Sequence, residues 1–250
     1  MNTTIDAERL VTAWEDRRAV LNLMGIFSGH YLLKEEKTIV SELFADREDL
    51  CLGVNNGYYV GREAVEGYYA ALHEKNLLTT RLIMAKYPEA FRDKPPEEAY
   101  GCGLINYKPL DTPVVEIAAD GATARGIWTC RNSYSDLTAG GPVTFYEWGW
   151  VAADFVKEDG GWKIWHLFQG ADHVFTVGED YAAVPIPRPR ETNPVYLEFG
   201  TPDVAMDTYD PDYGWADNYP AMPEPYLTFS DRESYGPEGH PDYWKEVSFL

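Results

Sequence analysis

The stretch from residue 113 to residue 173 constrains the fold more than any other part of the chain. It reads PVVEIAADGATARGIWTC, breaks at SDLTAGGP, and continues as VTFYEWGWVAADFVKEDGGWKIWHLFQGADHVF. Three long β-rich runs are joined there by Asp-Gly and Asp-Gly-Gly turns, at Asp120-Gly121 and Asp159-Gly160-Gly161. Because Asp-Gly pairs between such runs favour tight hairpins, the stretch predicts an antiparallel sheet of long strands.

These runs carry bulky apolar residues on both faces of each predicted strand. A sheet with one face in water would alternate cleanly between apolar and polar residues. We therefore expect helices on one face and another layer, such as a second subunit, on the other. Buried polar groups need partners or a ligand. On these strands they are Arg131, Asn132, Tyr146 and His166.

Helical periodicity precedes the sheet. Apolar spacing predicts helices over residues 6–33, 35–45 and 61–77, and Asn55-Asn56-Gly57 marks a hairpin between short strands at 50–54 and 58–60. Asp16, Arg17 and Arg18 fall off the stripe of the first helix. That stripe comprises Leu10, Trp14, Leu21, Met24, Phe27 and Tyr31.

Composition divides the chain into two parts. Residues 1–177 form the predicted domain, within which residues 78–112 read as an inserted loop or flap because prolines interrupt them. Residues 178–250 hold 11 of the 17 prolines, 8 of the 18 tyrosines and 15 acidic against 4 basic residues. So many aromatics argue against disorder. We predict an extended arm that wraps its own core or a neighbouring subunit, and hence a homo-oligomer.

Charge and motifs exclude several classes of partner. A net charge of −20 disfavours nucleic acid and anionic membranes. There is no run of about 18 apolar residues and no visible signal peptide, so a cytoplasmic protein is expected. Nucleotide-binding, nicotinamide and metal motifs are missing, which predicts no cofactor and no metal. Cys51, Cys102 and Cys130 are expected to be buried, reduced thiols.

The order of elements resembles the SnoaL-like branch of the nuclear transport factor 2 superfamily. The resemblance covers roughly residues 7–175 and lies in AWEDRRAVLNLMG, ELFA, GREAVEGYY, TPVVEIAADGATARGIW and DFVKEDGGWKIWHL. It implies an α+β fold, a cone-shaped barrel in which a curved antiparallel sheet wraps helices and leaves a deep pocket. Family members include cyclases, dehydratases, isomerases and cofactor-free lyases, while others only bind or scaffold. The long C-terminal extension is similar to that of diarylpropane lyases that release formaldehyde.

Four residues are candidates for catalysis. His30 lies near the apolar stripe of the first helix, and His166 alternates with inward residues on the last strand; either can move protons near neutral pH. Lys108 stands where family members often place a histidine, in an apolar stretch, and can bind a phenolate or act as a base. Strand alternation turns either Tyr58 or Tyr59 inward, and Tyr59 is our prediction for a phenol or oxyanion donor.

Other residues are candidates for binding the substrate. We expect one of Arg131 and Asn132, and one of Tyr146 and Glu147, to face the interior, with the choice open. His73 is expected on the outer face without a role, Asp172 and His173 form either a rim pair or a turn, and His240 lies in the arm. The predicted substrate-binding residues are Tyr31, Tyr58, Arg81, Trp128, Arg131, Tyr146 and Trp148.

Together these residues predict a cofactor-independent lyase acting on a small phenolic aromatic. The resemblance suggests a lignin-derived diarylpropane that loses formaldehyde and water to give a stilbene. A dehydratase or a ketosteroid-isomerase-like enzyme is the first alternative, and it would need an inward carboxylate such as Glu147 or Asp154. A non-catalytic small-molecule binding module is the second alternative.

Overall fold

Three helices pack against one large sheet. The computed structural model describes residues 7–55, 57–138, 141–176, 201–205 and 220–243. The helices are α1 (Ala7–Leu33), α2 (Glu36–Leu43) and α3 (Arg62–Lys86). Each matches a predicted helix in order and type, although α3 runs to Lys86 instead of ending near Leu77. The first part of the predicted flap is therefore helical.

Within the described residues, eight strands form the sheet, in the order β3-β5-β6-β7-β1-β2-β8, and β4 also pairs with β5. All neighbours are antiparallel except β1 and β7. The predicted hairpins are confirmed, since β4–β5 turns at Asp120-Gly121 and β6–β7 at Asp159-Gly160. The strands are β1 (Cys51–Val54), β2 (Gly57–Val60), β3 (Asn106–Tyr107), β4 (Leu110–Ile117), β5 (Thr123–Thr138), β6 (Gly141–Glu158), β7 (Gly161–Thr176) and β8 (Val204–Ala205).

Both faces of the sheet are covered, as its composition predicts. The inner face packs against the helices in a large core that includes Phe27, Tyr69, Trp128 and Leu167. A smaller apolar cluster covers the opposite, outer face and includes Ile127, Phe168 and Tyr235. Tyr235 comes from the C-terminal segment, so the second layer belongs to the same chain. The α+β prediction is thereby confirmed.

Residues 220–243 are held on the outer face largely by polar contacts. The backbone N–H of Tyr235 donates to Asp154 Oδ2 at 2.7 Å. Arg125 donates to the backbone oxygen and the carboxylate of Glu233 at 2.8 and 2.9 Å. Its guanidinium also lies 4.0 Å from the centre of the Tyr226 ring. This part of the arm wraps its own core, while oligomerisation through the arm stays a prediction.

The N-terminal half of α1 differs from its predicted pattern. Residues 7–15 are all exposed, Leu10 and Trp14 among them, so the stripe is buried only from Val20 onward. Asp16, expected off the stripe, is buried because its carboxylate accepts hydrogen bonds from Lys157 Nζ and Trp162 Nε1 at 2.6 and 2.9 Å. These two donors come from the β6–β7 hairpin, which sequence periodicity could not place beside α1.

None of the helices in the described residues combines the length and apolarity needed to cross a membrane. Cys51 and Cys130 are buried, as expected, whereas Cys102 is exposed and departs from that prediction.

Candidate functional site

Strand register decides which polar residues face the helices. Trp128 and Cys130 belong to the inner core, so Asn132, two further along β5, also faces inward. Asn132 pairs with Glu147 on β6. Tyr107 pairs with Ser133 and Leu110 with Cys130, so Lys108 falls opposite Asn132 in the same register. Lys108, Asn132 and Glu147 therefore lie in one row on the inner face, with Asn132 on β5, Glu147 on β6 and Lys108 in the short break between β3 and β4.

Lys108 is a buried cation. Its Nζ donates to Gln169 Oε1 at 2.7 Å and lies 5.2 Å from the centre of the Tyr31 ring. Within the described residues, no carboxylate oxygen lies within ion-pair distance of it. Burial lowers the pKa of Lys108, but the electrostatic influence of Cys130, Glu147 and Tyr31 outweighs burial and leaves the pKa raised.

Tyr31 and Gln169 complete the environment of this ammonium group. The Tyr31 hydroxyl lies 3.3 Å from Gln169 Oε1 and 3.2 Å from Nε2, so it can donate to the first or accept from the second. Burial raises the pKa of Tyr31, and Lys108 and Gln169 offset this only in part. Tyr31 therefore stays a neutral phenol that can donate a hydrogen bond to an anion held at Lys108.

Asn132 and Glu147 extend the site from Lys108. Asn132 is 6% exposed, and its Oδ1 is buried without a hydrogen-bond partner in the described part of the chain. Glu147 is half-buried and close enough to contribute to the raised pKa of Lys108. A cation, an unsatisfied amide oxygen and a carboxylate thus follow one another on the inner face. This combination can bind an anionic oxygen at one end and exchange a proton at the other.

His30 lies apart from this site. Its Nδ1 and Nε2 each lie 3.3 Å from a carboxylate, that of Glu35 and that of Glu42 respectively. The imidazole also contacts the Thr38 hydroxyl at 3.3 Å. His30 therefore joins α1 to α2, while its neighbour Tyr31 points to Lys108, because consecutive helical residues point in directions about 100° apart.

His166 lies on the opposite face of the sheet from Lys108. Ile164 pairs with Phe155 and His166 with Asp154, so Trp165 is an extra residue that forms a β-bulge. A bulge shifts the alternation of a strand by one residue. His166 Nδ1 lies 2.8 Å from Asp154 Oδ2 beneath the C-terminal segment. The structure therefore does not bring His30, His166 and Lys108 together.

The two tyrosines of β2 divide as predicted. Tyr59 faces the inner core, where its ring centre lies 5.2 Å from that of Tyr68 on α3. Tyr58 faces outward and packs against Phe168, with ring centres 6.3 Å apart. Trp128 is buried in the inner core against Phe155. Of these three, Tyr59 and Trp128 share a face with Lys108, and Tyr58 does not.

Three predicted substrate-binding residues line a groove on the outer face. The groove has a volume of about 530 Å³ and includes Arg131, Tyr146 and Trp148. Arg131 donates to Asp111 Oδ2 at 2.7 Å across this groove. Arg81 lies elsewhere, half-exposed on α3, with its nearest guanidinium nitrogen 3.6 Å from Glu97. The structure therefore separates all four residues from the inner row.

The remaining polar candidates have partners of their own. His73, expected to face outward without a role, stacks on Tyr100 with ring centres 4.5 Å apart and lies 3.7 Å from the fully buried Glu36 carboxylate. Asp172 accepts a hydrogen bond from Trp150 Nε1 at 2.9 Å, which favours a structural turn. His240 is buried in the C-terminal segment, and the side chain of His173 lies outside the described residues. Over the described ranges, no three His, Cys, Asp or Glu side chains group closely enough to hold a metal ion.

Comparison with known proteins assigns the family. The SnoaL-like domain family matches residues 12–167, and the chain belongs to this family. No curated protein matches the sequence at a significant level. The family assignment therefore rests on the domain match.

Several solved structures are similar to this chain at low sequence identity. Kfla4162 from Kribbella flavida is 17% identical with a TM-score of 0.48, covering 68% of this chain and 97% of its own. Rv3472 from Mycobacterium tuberculosis, of unknown function, is 14% identical with a TM-score of 0.47, covering 79% and 95%. A putative scytalone dehydratase from Novosphingobium aromaticivorans is 15% identical with a TM-score of 0.46, covering 72% and 97%.

Proposed function

We propose that this protein is a cofactor-independent lyase that acts on a small phenolic aromatic substrate. The observation that supports this most is the buried ammonium of Lys108, whose partner is an amide oxygen instead of a carboxylate. A buried charge without a counter-ion is costly, and an anionic ligand would remove that cost. Because Tyr31 can also donate a hydrogen bond to the anionic oxygen of such a ligand, the site is suited to a phenolate.

The leading candidate substrate is a lignin-derived diarylpropane with a free para phenol. The phenolate held at Lys108 would push electrons through the ring and expel the benzylic hydroxyl as water, which leaves a quinone methide. Breaking the bond to the hydroxymethyl carbon would then release formaldehyde and return the electron pair to the ring oxygen. The products are a stilbene, formaldehyde and water, and every atom is supplied by the substrate.

Product analysis tests this proposal. Purified protein, stripped of metal, is incubated with diarylpropanes that carry a free para phenol and with their O-methyl ethers. We expect stilbene absorbance and stoichiometric formaldehyde from the phenols and none from the ethers. Equal turnover of the ethers would contradict anchoring through a phenolate, and binding without turnover of any compound would favour a non-catalytic binding module.

A dehydratase or isomerase is the second candidate, and the position of Glu147 favours it. That chemistry needs a carboxylate base on the inner face. Glu147 pairs with Asn132 on that face, whereas Asp154 points outward and accepts from His166 and Tyr235. A conjugated or isomerised product without formaldehyde would select this candidate over the lyase.

A further inference from the structure

We infer that Glu147 is the group that transfers the proton in this site, and that Asn132 positions a substrate hydroxyl between Glu147 and Lys108. The inference deepens the proposed function and rests on it. Neither role follows from sequence alone, because each residue has a polar neighbour, Arg131 or Tyr146, that could have faced inward instead. The observation that supports it is the row in which Lys108, between β3 and β4, lies beside Asn132 on β5 and Glu147 on β6.

The spacing of the row sets how a phenolic substrate would lie along it. Neighbouring strands lie about 4.8 Å apart, so the backbones of Lys108 and Glu147 are separated by roughly 10 Å. The Lys108 side chain reaches Gln169, which pairs with Val151, four residues along β6 from Glu147. Lys108 is buried, whereas Glu147 is partly exposed. A ring whose phenol oxygen lies at Lys108 would extend its side chain towards Glu147.

Asn132 has an acceptor that the protein itself leaves unused. Its Oδ1 is buried and has no hydrogen-bond partner in the described residues. Leaving a buried polar atom unpaired is unfavourable for the folded state. A substrate hydroxyl could satisfy this oxygen by donating to it. Because the backbone of Asn132 lies between those of Lys108 and Glu147, such a bond would hold the hydroxyl near Glu147.

A single carboxyl group can both accept and return the proton that moves in this reaction. The Glu147 carboxylate takes the proton of the primary hydroxyl while the carbon–carbon bond breaks, and formaldehyde leaves. The electron pair of that bond forms the stilbene double bond, and the quinone methide oxygen regains its negative charge beside Lys108. The Glu147 carboxylic acid then delivers its proton to the benzylic hydroxyl of the next substrate, which departs as water. No oxidant, reductant or metal enters this sequence.

Other titratable groups near the site are less suited to this role. Burial raises the pKa of the Cys130 thiol, and the nearby Lys108 charge offsets this only in part, so the group stays protonated at neutral pH. Asp111 is engaged by Arg131 at the outer groove. His30 and His166 contact carboxylates away from the row. Within the described residues, Glu147 is thus the carboxylate that shares the inner-face row with Lys108.

Isosteric substitution separates proton transfer from binding. For Glu147→Gln we expect kcat on the phenolic diarylpropane to fall at least about 100-fold, with KM changed little and the acidic limb of the pH profile lost. Glu147→Asp should recover part of the rate. For Asn132→Ala we expect KM to rise about tenfold. Glu63→Gln on the exposed side of α3 and Ser133→Ala on the outer face are the matched controls and should behave as wild type.

Binding of 4-nitrophenol, whose anion absorbs visible light, serves as a readout independent of turnover. Loss of turnover in Glu147→Gln with unchanged 4-nitrophenol binding would support the inference. If the wild type is active and Glu147→Gln keeps its rate, or loses binding and turnover together, the inference is overturned while the lyase stands. If the wild type converts no member of the panel, the proposed function falls, and the inference falls with it.

Discussion

At the scale of single residues, the sharpest conflict between burial and charge is at Lys108. Lys108 is 6% exposed and its ammonium group is bonded to an amide oxygen, an arrangement that hydrophobic packing alone would not favour. Replacing an uncompensated buried charge with an apolar side chain of similar volume is often neutral or stabilising. The position is therefore better explained by ligand binding than by the stability of the fold.

Lys108→Met tests this explanation. We expect the binding of 4-nitrophenol to weaken at least tenfold, while the free energy of unfolding is unchanged or rises by about 1 kcal/mol. Calorimetric titration and urea denaturation measure the two quantities. Lys37→Met, at an exposed position of α2, is the control and should alter neither. A variant that binds normally but unfolds more easily would assign Lys108 a structural role.

Asp16 is a second buried charge, and in contrast to Lys108 it has partners within the fold. Asp16→Ala would leave Lys157 Nζ and Trp162 Nε1 without their shared acceptor. We expect the free energy of unfolding to fall by about 1–3 kcal/mol. Asp46→Ala, at an exposed carboxylate paired with Arg62, should change it by less than about 0.5 kcal/mol. Equal effects in urea denaturation would contradict a structural role for the buried contact.

At the scale of elements, the β6–β7 pair determines which chemistry lies on which face. Two extra residues on β7, Asp172 and Trp165, each interrupt the register with β6. Between these bulges, Gln169 faces Lys108 and Phe168 faces the C-terminal segment. Gly149, next to the first irregularity, allows the strands to approach closely. A Cβ there would lie 2.0 Å from the backbone oxygen of Gly170.

Gly149→Ala and Gly67→Ala are expected to change the free energy of unfolding in opposite directions. Because the obstacle at Gly149 is backbone, the strand pair would have to shift, and we expect a loss of about 3 kcal/mol or more, or no soluble protein. A Cβ at Gly67 meets nothing within 4 Å on the exposed face of α3. Its replacement should stabilise the protein by about 0.5–1 kcal/mol. Urea denaturation measures the two variants, and a tolerated Gly149→Ala would contradict the close approach.

At the scale of the whole molecule, the C-terminal segment acts as the second layer of the core. Removing residues 220–250 would uncover the outer apolar cluster and leave Arg125 and Asp154 without Glu233 and Tyr235. We expect a lower thermal midpoint and strong binding of a hydrophobic dye. Met222→Ala, at an exposed position of the same segment, should match the wild type. An unchanged midpoint after truncation would show that the sheet needs no such cover.

The oligomeric state belongs to the same scale and remains a prediction. The described arm residues contact the outer face of their own chain. Size-exclusion chromatography with light scattering on the full and truncated chains tests the prediction. A full-length monomer would overturn the predicted homo-oligomer. An oligomer that survives truncation would show that its interface lies outside residues 220–250.

Sequence patterns predicted the three helices, the short hairpin and the long strands in their order, because periodicity, Asp-Gly turns and the Asn-Gly turn are local signals. They also indicated a sheet covered on both faces and identified Lys108 as a lysine in an apolar stretch. Local patterns sufficed there, since each depends on residues within a few positions of one another.

Long-range packing determines which side chains meet. Bulky residues on both faces of β5 and β6 remove the alternation that would have chosen Asn132 over Arg131, or Glu147 over Tyr146. The bulge at Trp165 turns His166 away from Lys108 and Gln169 towards it. Asp16 is buried by donors from a distant hairpin. Each outcome depends on strand register or long-range packing, which no short window of sequence contains.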